Sequence, residues 1–251
     1  MEQTTQKDWF KVKNTSETAS EIYIMGDIVD EQWTSEEVSP TWFKNEFDKV
    51  KNAKHIHIFI NSSGGSVFAA LAIHNMIKNS KAFVTSHVMG IAASAASWMI
   101  MPSNKIVMPK NAFMMLHLPS TIAYGNKNDF RKTADFLDKV EDVIVDSYMR
   151  GGKKLTKETV TEMLNAGETW LNGQQAFDKG LIDLVEEDVA VANKGDYVVI
   201  NGVEHDVKKY KSFPKVEETK KDKVTNLDEY VKRIYDVKKK VLNLKKETLN
   251  V

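Results

Sequence analysis

Apolar positions along this chain alternate between strand-like and helix-like spacing. "EIYIMGDI" (21–28) predicts a strand ending near a glycine. "SPTWFKNEFDKVKN" (39–52) predicts a helix, with Ser39 as N-cap, Pro40 at the first helical position and Phe43, Phe47 and Val50 on one face. "HIHIFIN" (55–61) predicts a strand that stops at "SSGG". A helix follows in "SVFAALAIHNMIKNS", with Ala69, Ala70, Ile73 and Ile77 turned inward. "AFVTSHVMG" (82–90) predicts the next strand, which feeds "GIAASAASWM" (90–99), a run of small residues read as a helix start. Strands are predicted near 105–108 and over 112–118, then a long helix from about Asn128 to Met149. In that helix Phe130, Ala134, Leu137, Val140, Ile144 and Tyr148 recur at steps of three and four. Another helix runs from about Thr156 to Gly167. Asn172 and Gln175 have capping-box spacing, Gly180 supplies a helix stop, and "LIDLV" predicts a closing strand.

Strands alternating with helices argue for an α/β fold with crossover connections. Three unusual stretches then fall after strands: "NSSGG", "GIAAS" and His117. Ligands in such sheets gather at the carboxyl ends of strands. The character changes after about residue 187. "DYVVINGVEHDVKKY" is a hairpin signal around Asn201-Gly202, and the chain beyond Glu217 is highly charged. There Leu227, Tyr230, Ile234, Val237, Val241 and Leu244 form a heptad-like helical stripe. The expected division is 1–187, a catalytic domain, 188–216, a hairpin extension, and 217–251, a charged linker and partner-binding helix.

Composition narrows the functions available. The 251 residues are 42% hydrophobic and 28% charged, as in an ordinary soluble globular protein. Lysine plus arginine equals aspartate plus glutamate at 35 each, so no global charge points to nucleic acid. The lysines between 238 and 246 read as a solvated helix face. Absence of cysteine excludes a thiol nucleophile, a disulfide framework and a thiolate metal site. The polar start "MEQTTQKDWFKVKN" lacks a signal-peptide core, and no apolar run approaches a membrane span. A cytoplasmic protein without membrane contact is the expectation.

Acyl transfer needs a nucleophile, a base, a group orienting the base and donors for an oxyanion. Ser94 lies where a strand turns into a helix, among alanines that leave room above it. "NSSGG" offers backbone N–H groups with no side chains in the way, and His117 can serve as base. A helix cap and a structural histidine are the plainer readings of the same residues. The surroundings do not fit the G-x-S-x-G elbow, so an α/β-hydrolase is not indicated. His55 and His57 share one strand face and read as solvent-facing rather than as a metal pair, and His74 reads as a surface residue. Trp42, Trp98 and Trp170 read as core or subunit-contact aromatics. No metal or other cofactor is expected.

"INSSGGSVFAALAIHNMI", "VMGIAASAASWM", "MMLHLP" and "ETWLNGQQAFDKGLID", in this order, resemble the proteolytic subunit of the Clp protease, ClpP. The likeness covers roughly 20–185 and is closest to the ClpP-like head maturation proteases of tailed phages. It implies an α/β spiral of ββα units, of ClpP/crotonase type, with a long protruding helix, here followed by a C-terminal hairpin and helix. It implies Ser94 as nucleophile, His117 as base, and the backbone N–H groups of Gly65 and Ala95 as oxyanion donors. Ser97 is then a packing residue. The family's usual aspartate falls on Glu168, which can still orient an imidazole. The proline of "NSPGG" is Ser63 here, which frees φ but removes no donor. The implied protein is a homo-oligomer, a heptameric ring or stacked rings, that processes capsid or scaffold proteins in a phage prohead within the host cytoplasm. The N-terminal region looks unlike the axial loops that engage an ATPase, which argues against an unfoldase partner. Two rivals share the fold: a catalytically idle scaffold component and a crotonase-type acyl-CoA enzyme.

Overall fold

The computed structural model describes residues 13–16, 19–34, 36–149, 155–201 and 203–219. The predicted C-terminal helical stripe and the extreme N-terminus lie outside these residues. In chain order the elements are β1 (Lys13–Ser16), β2 (Ala19–Ile24), β3 (Asp27–Ile28), β4 (Glu37–Val38), α1 (Pro40–Val50), β5 (His55–Ser62), α2 (Val67–Lys78) and β6 (Phe83–Ala93). There follow α3 (Ala95–Met99), β7 (Lys105–Pro109), β8 (Phe113–Leu116), α4 (Lys127–Tyr148), α5 (Lys157–Asn165), β9 (Thr169–Asn172), α6 (Gly173–Lys179) and β10 (Leu184–Glu186). The α/β expectation holds.

The main sheet runs β1-β2-β5-β6-β7-β10, with β8 added to β6 and β9 to β8. Its centre, β2-β5-β6-β7, is parallel. Such strands are covered on both faces and so need few polar positions; β5 is buried from Ile56 to Ser62. One face carries Ile22, Ile24, Ile56, Ile58, Ile60, Val84 and Val88 into a core shared with Phe43 and Val50 of α1 and Ala69, Ala70, Ile73 and Ile77 of α2. Each buried isoleucine or phenylalanine there contributes about 1.5–3 kcal/mol. Ser39 Oγ accepts the Trp42 N–H, and Pro40 fixes the first turn, so α1 begins where its sequence signals it.

β6 is the element on which the site depends. Its first half, Thr85–His87, pairs with β7, and its last three residues, Ile91–Ala93, pair with Phe113–Met115 of β8. The first four residues of the small-residue run, Gly90–Ala93, are therefore strand, and the helix is only Ala95–Met99. Alanine carries no periodicity that separates the two states, so the ladder with β8 decides. The predicted strand 21–28 is also broken: a Cβ at Gly26 would stand 1.7 Å from the Glu36 carbonyl oxygen, a close approach that only glycine allows.

The opposite sheet face corrects one expectation. His57 does not face solvent; it is 2% exposed. Its Nδ1 lies 2.9 Å from Nε2 of His87, its ring stacks on His55, and the Tyr23 hydroxyl nearby donates to Glu21 at 2.7 Å. His74 is likewise buried rather than on the surface, because it continues the inward face of α2 one turn after Ala70. Its Nδ1 lies 3.2 Å from the Trp98 carbonyl oxygen, and burial pushes its pKa below the ordinary histidine value. Trp98 is buried, whereas Trp42 and Trp170 are half-buried.

The chain divides into two compact units between Asp188 and Val189. The described part of the second is an antiparallel sheet of β11 (Val191–Lys194), β12 (Tyr197–Ile200) and β13 (Val203–Asp206). Ile200 pairs with Val203 around the predicted Asn201-Gly202 turn, where Asn201 has φ 52°. β11 has no counterpart among the predicted elements.

Candidate active site

Where β6 leaves the sheet, Ser94 adopts φ 52° and ψ −127°. A positive φ of this kind is strained for any residue but glycine. The turn is fixed by its backbone: Ser94 N–H donates to the Met115 carbonyl at 2.8 Å, and Ser94 C=O accepts the Ser97 N–H at 3.0 Å. Ser94 stands at the N-cap of α3, yet its side chain makes no cap hydrogen bond. Its hydroxyl instead lies 2.7 Å from Nε2 of His117. A plain helix cap does not describe it. His117 comes directly after β8, the strand that pairs with the end of β6, so two neighbouring strand ends bring hydroxyl and imidazole together.

The end of β5 from Asn61, with the loop that follows it to Ser66, lies against this turn. Asn61 Oδ1 accepts the Ile91 N–H at 2.9 Å, Ser62 donates to the Gly26 carbonyl, and Ser66 donates to Asp30 at 2.6 Å. Ser63 donates to the Asp27 carboxylate, so a side-chain bond restrains the position where the resemblance leads one to expect proline. Gly64 has φ 92°, and a Cβ there would come within 2.6 Å of the Ala93 oxygen and 2.8 Å of the Ala95 nitrogen and the Ser94 Cβ. Loop and turn thus meet backbone to backbone. Gly65 has φ 138°, and a Cβ there would stand 2.1 Å from the Ile28 oxygen. Ala95 is the first residue of α3, where N–H groups have no acceptor within the helix.

Glu168 immediately precedes β9. That strand pairs antiparallel with β8 in the register Phe113↔Asn172 through Leu116↔Thr169. Glu168 and His117 are the residues next beyond the last pair of that register, Leu116↔Thr169. The Glu168 carboxylate accepts the Trp170 indole N–H at 3.3 Å, which restrains it. β9 is absent from the sequence-based expectations although it begins directly after Glu168. Its signal was present: "TWL", rich in strand formers, sits between Gly167, with φ 95°, and the Asn172 capping box.

Among the described residues no group of three or more histidine, cysteine, aspartate or glutamate side chains could hold a metal ion. No described helix is long and apolar enough to cross a membrane.

A serine hydroxyl held against an imidazole on a strained turn, with glycine backbone alongside, is an arrangement that serine-type acyl transfer requires. Residues 4–189 match the family model of the Clp protease. The chain is 33% identical to the ATP-dependent Clp protease proteolytic subunit of Ligilactobacillus salivarius, over 54% of this chain and 69% of that protein. It is 29% identical to the subunit of that name from Mesostigma viride, over 64% and 69% of the two chains. For the one from Nephroselmis olivacea the identity is 30%, over 52% and 62%. The chain belongs to the Clp protease family and is a serine peptidase of that family, with an α/β fold of the ClpP/crotonase kind.

Proposed function

We propose that this protein is a serine endopeptidase in which Ser94 is the nucleophile, His117 the general base and Glu168 the acid that orients it. The observation that carries this reading is the 2.7 Å contact between Ser94 Oγ and His117 Nε2 on a turn that strains the serine backbone. For Nε2 to accept the hydroxyl proton, the imidazole must carry its own proton on Nδ1. A carboxylate opposite His117 selects that tautomer and stabilises the imidazolium that forms as Oγ adds to the scissile carbonyl. The N–H groups of Gly65 and Ala95 then receive the oxyanion. Support for this comes from the meeting of the two backbones at Gly64 and from the position of Ala95 at the helix start. Imidazolium returns its proton to the leaving amine, and water repeats the sequence on the acyl-enzyme.

The assembled Ser94–His117 pair disfavours an idle scaffold, and crotonase-type acyl-CoA chemistry has no need of it. A ring-based homo-oligomer, heptameric or a stacked pair of heptamers, is part of the proposal. Phe130, Phe136 and Val143 leave apolar surface exposed on α4, where Phe136 also meets the exposed Phe68 of α2, and Ile122 and Tyr124 are exposed just before it. Sedimentation at micromolar concentration should show this assembly; a monodisperse monomer overturns it. Capsid or scaffold proteins as substrates and a host-cytoplasmic location rest on the resemblance of the four motifs to phage head maturation proteases, and independence from an unfoldase partner rests on an N-terminal sequence unlike the axial loops that engage an ATPase. The division into peptidase domain (1–187), hairpin extension (188–216) and charged partner-binding tail (217–251) rests on the change of sequence character after residue 187, the hairpin signal and the charge beyond Glu217. Labelling with a fluorophosphonate, followed by peptide mapping, tests the chemistry. Modification of Ser94 is expected, and a folded protein that does not react overturns the reading.

A further inference from the structure

Ser97 sits one turn after Ser94 and is completely buried. Packing alone would be served by alanine, as at Ala95 and Ala96. The Ser97 hydroxyl, however, is fully engaged. Its single proton goes to the Ser94 carbonyl oxygen at 2.6 Å. The hydroxyl of Tyr148, 2.5 Å away, must then be the donor to Ser97 Oγ. Tyr148 is the last residue of α4 and is also buried; burial pushes its pKa far up, so the phenol keeps its proton. The result is a directed chain: Tyr148 O–H to Ser97 Oγ, and Ser97 O–H to Ser94 C=O.

That carbonyl belongs to the same planar peptide unit as the Ala95 N–H. In a trans peptide the two groups point in opposite directions. The Ser94 oxygen accepts two hydrogen bonds on its side of the plane, from the Ser97 N–H and the Ser97 hydroxyl. Drawing C=O inward turns N–H outward. Because Ser94 is in a strained conformation, rotation of this peptide plane would relax the turn while removing the donor.

We propose that Ser97 and Tyr148 are positioning residues for oxyanion stabilisation, holding the Ser94–Ala95 peptide plane so that the Ala95 N–H faces the substrate. The inference rests on the assignment of Ser94 as nucleophile. Neither residue touches the substrate; both act through one peptide bond.

The test compares Ser97→Ala, Tyr148→Phe and the double variant with the unaltered protein. Measurements are peptide-ester turnover, the rate of fluorophosphonate labelling and the affinity for a peptide aldehyde, whose serine adduct carries an oxyanion. Each single variant should lower kcat about tenfold with KM within about twofold, as expected for loosening one donor rather than deleting it. Aldehyde affinity should weaken by the same factor as kcat. The double variant should be no worse than the poorer single one, because the two hydroxyls act in series. If thermal stability falls while kcat, labelling rate and aldehyde affinity stay unchanged, the role is merely structural and the proposal is overturned. Equal losses in kcat and in ground-state binding overturn it as well. Should Tyr148→Phe not fold, Ser97→Ala, which removes one atom, carries the test. Absence of labelling at Ser94 in the unaltered protein would instead refute the serine-peptidase assignment itself.

Discussion

Two segments of small residues meet at the site, and they are held in place by different means. Residues 61–66 are a strand end and loop whose serines and asparagine donate or accept side-chain bonds to neighbouring backbone and carboxylates, while Gly64 and Gly65 take the positive φ angles. Residues 90–99 are held mainly by backbone ladders, and there the positive φ falls on a serine. On the proposed chemistry the loop supplies only backbone, so glycine can occupy its positive-φ positions without steric cost. On the same chemistry the turn must supply a side chain, so it keeps a serine where glycine would be more comfortable. Strain of about 1–3 kcal/mol is tolerated at such a position only when the surroundings over-determine it.

The largest effect separates the two serines of the turn. Ser94→Ala should lower kcat by about 10⁴- to 10⁶-fold, leaving only what binding and the oxyanion donors supply. If Ser97→Ala were the more damaging of the two in a turnover assay, the nucleophile would be misassigned. Next comes Glu168→Gln, expected to cost up to about 10⁴ in kcat with little change in KM, since the carboxylate acts on imidazolium in the transition state. Glu168→Asp should retain activity. A Gln variant with normal steady-state kinetics would remove Glu168 from the site.

Gly64→Ala tests the close approach of loop and turn. Its Cβ would overlap the backbone at Ala93 and Ala95, so a loss of at least about 10²-fold in kcat is expected, along with a lower Tm. Wild-type turnover in that variant would show that the two backbones need not touch. Ser63→Ala should be milder: losing one bond to Asp27 costs about 1 kcal/mol of stability and shifts the urea midpoint with little change in kcat. An unchanged midpoint would mean that backbone bonds alone hold the loop.

The smallest effect concerns His74, which supports α3 through the Trp98 carbonyl. Its folded-state pKa lies below the unfolded value, chiefly because burial disfavours the charged form. Its contribution to stability is therefore complete above about pH 6.5 and declines as pH falls through that value toward the lower folded one. His74→Gln should show a shallower decline in Tm between pH 7 and pH 5 than the unaltered protein. Parallel declines would assign the acid sensitivity to other groups.

Most of the α/β framework was legible because its helices carry clear caps and inward stripes, as at Ser39, Asn172 and Gly180. Ser94 and His117 were legible as candidates because both follow strands, and the family resemblance chose between chemistry and capping. Burial of polar residues was harder to read. A period of two looks the same whether the second face meets solvent or is covered, so His57 was misplaced. His74 was misplaced because histidine on an inward stripe is indistinguishable from a polar interruption until its partner, Trp98, is known. The Tyr148–Ser97 bond spans 51 residues of sequence and leaves no local pattern. β9 was too short to declare itself, although it begins directly after Glu168 and pairs with the strand that ends just before His117.

The left-handed backbone at Ser94 also sets heat tolerance against turnover. Ser94→Gly would relieve the turn and abolish the nucleophile in one step, so the inactive protein should melt at a higher temperature than the active one. A mutant library enriched by thermal challenge alone, with no demand for peptide cleavage, should therefore accumulate glycine at this position and lose its activity while gaining robustness.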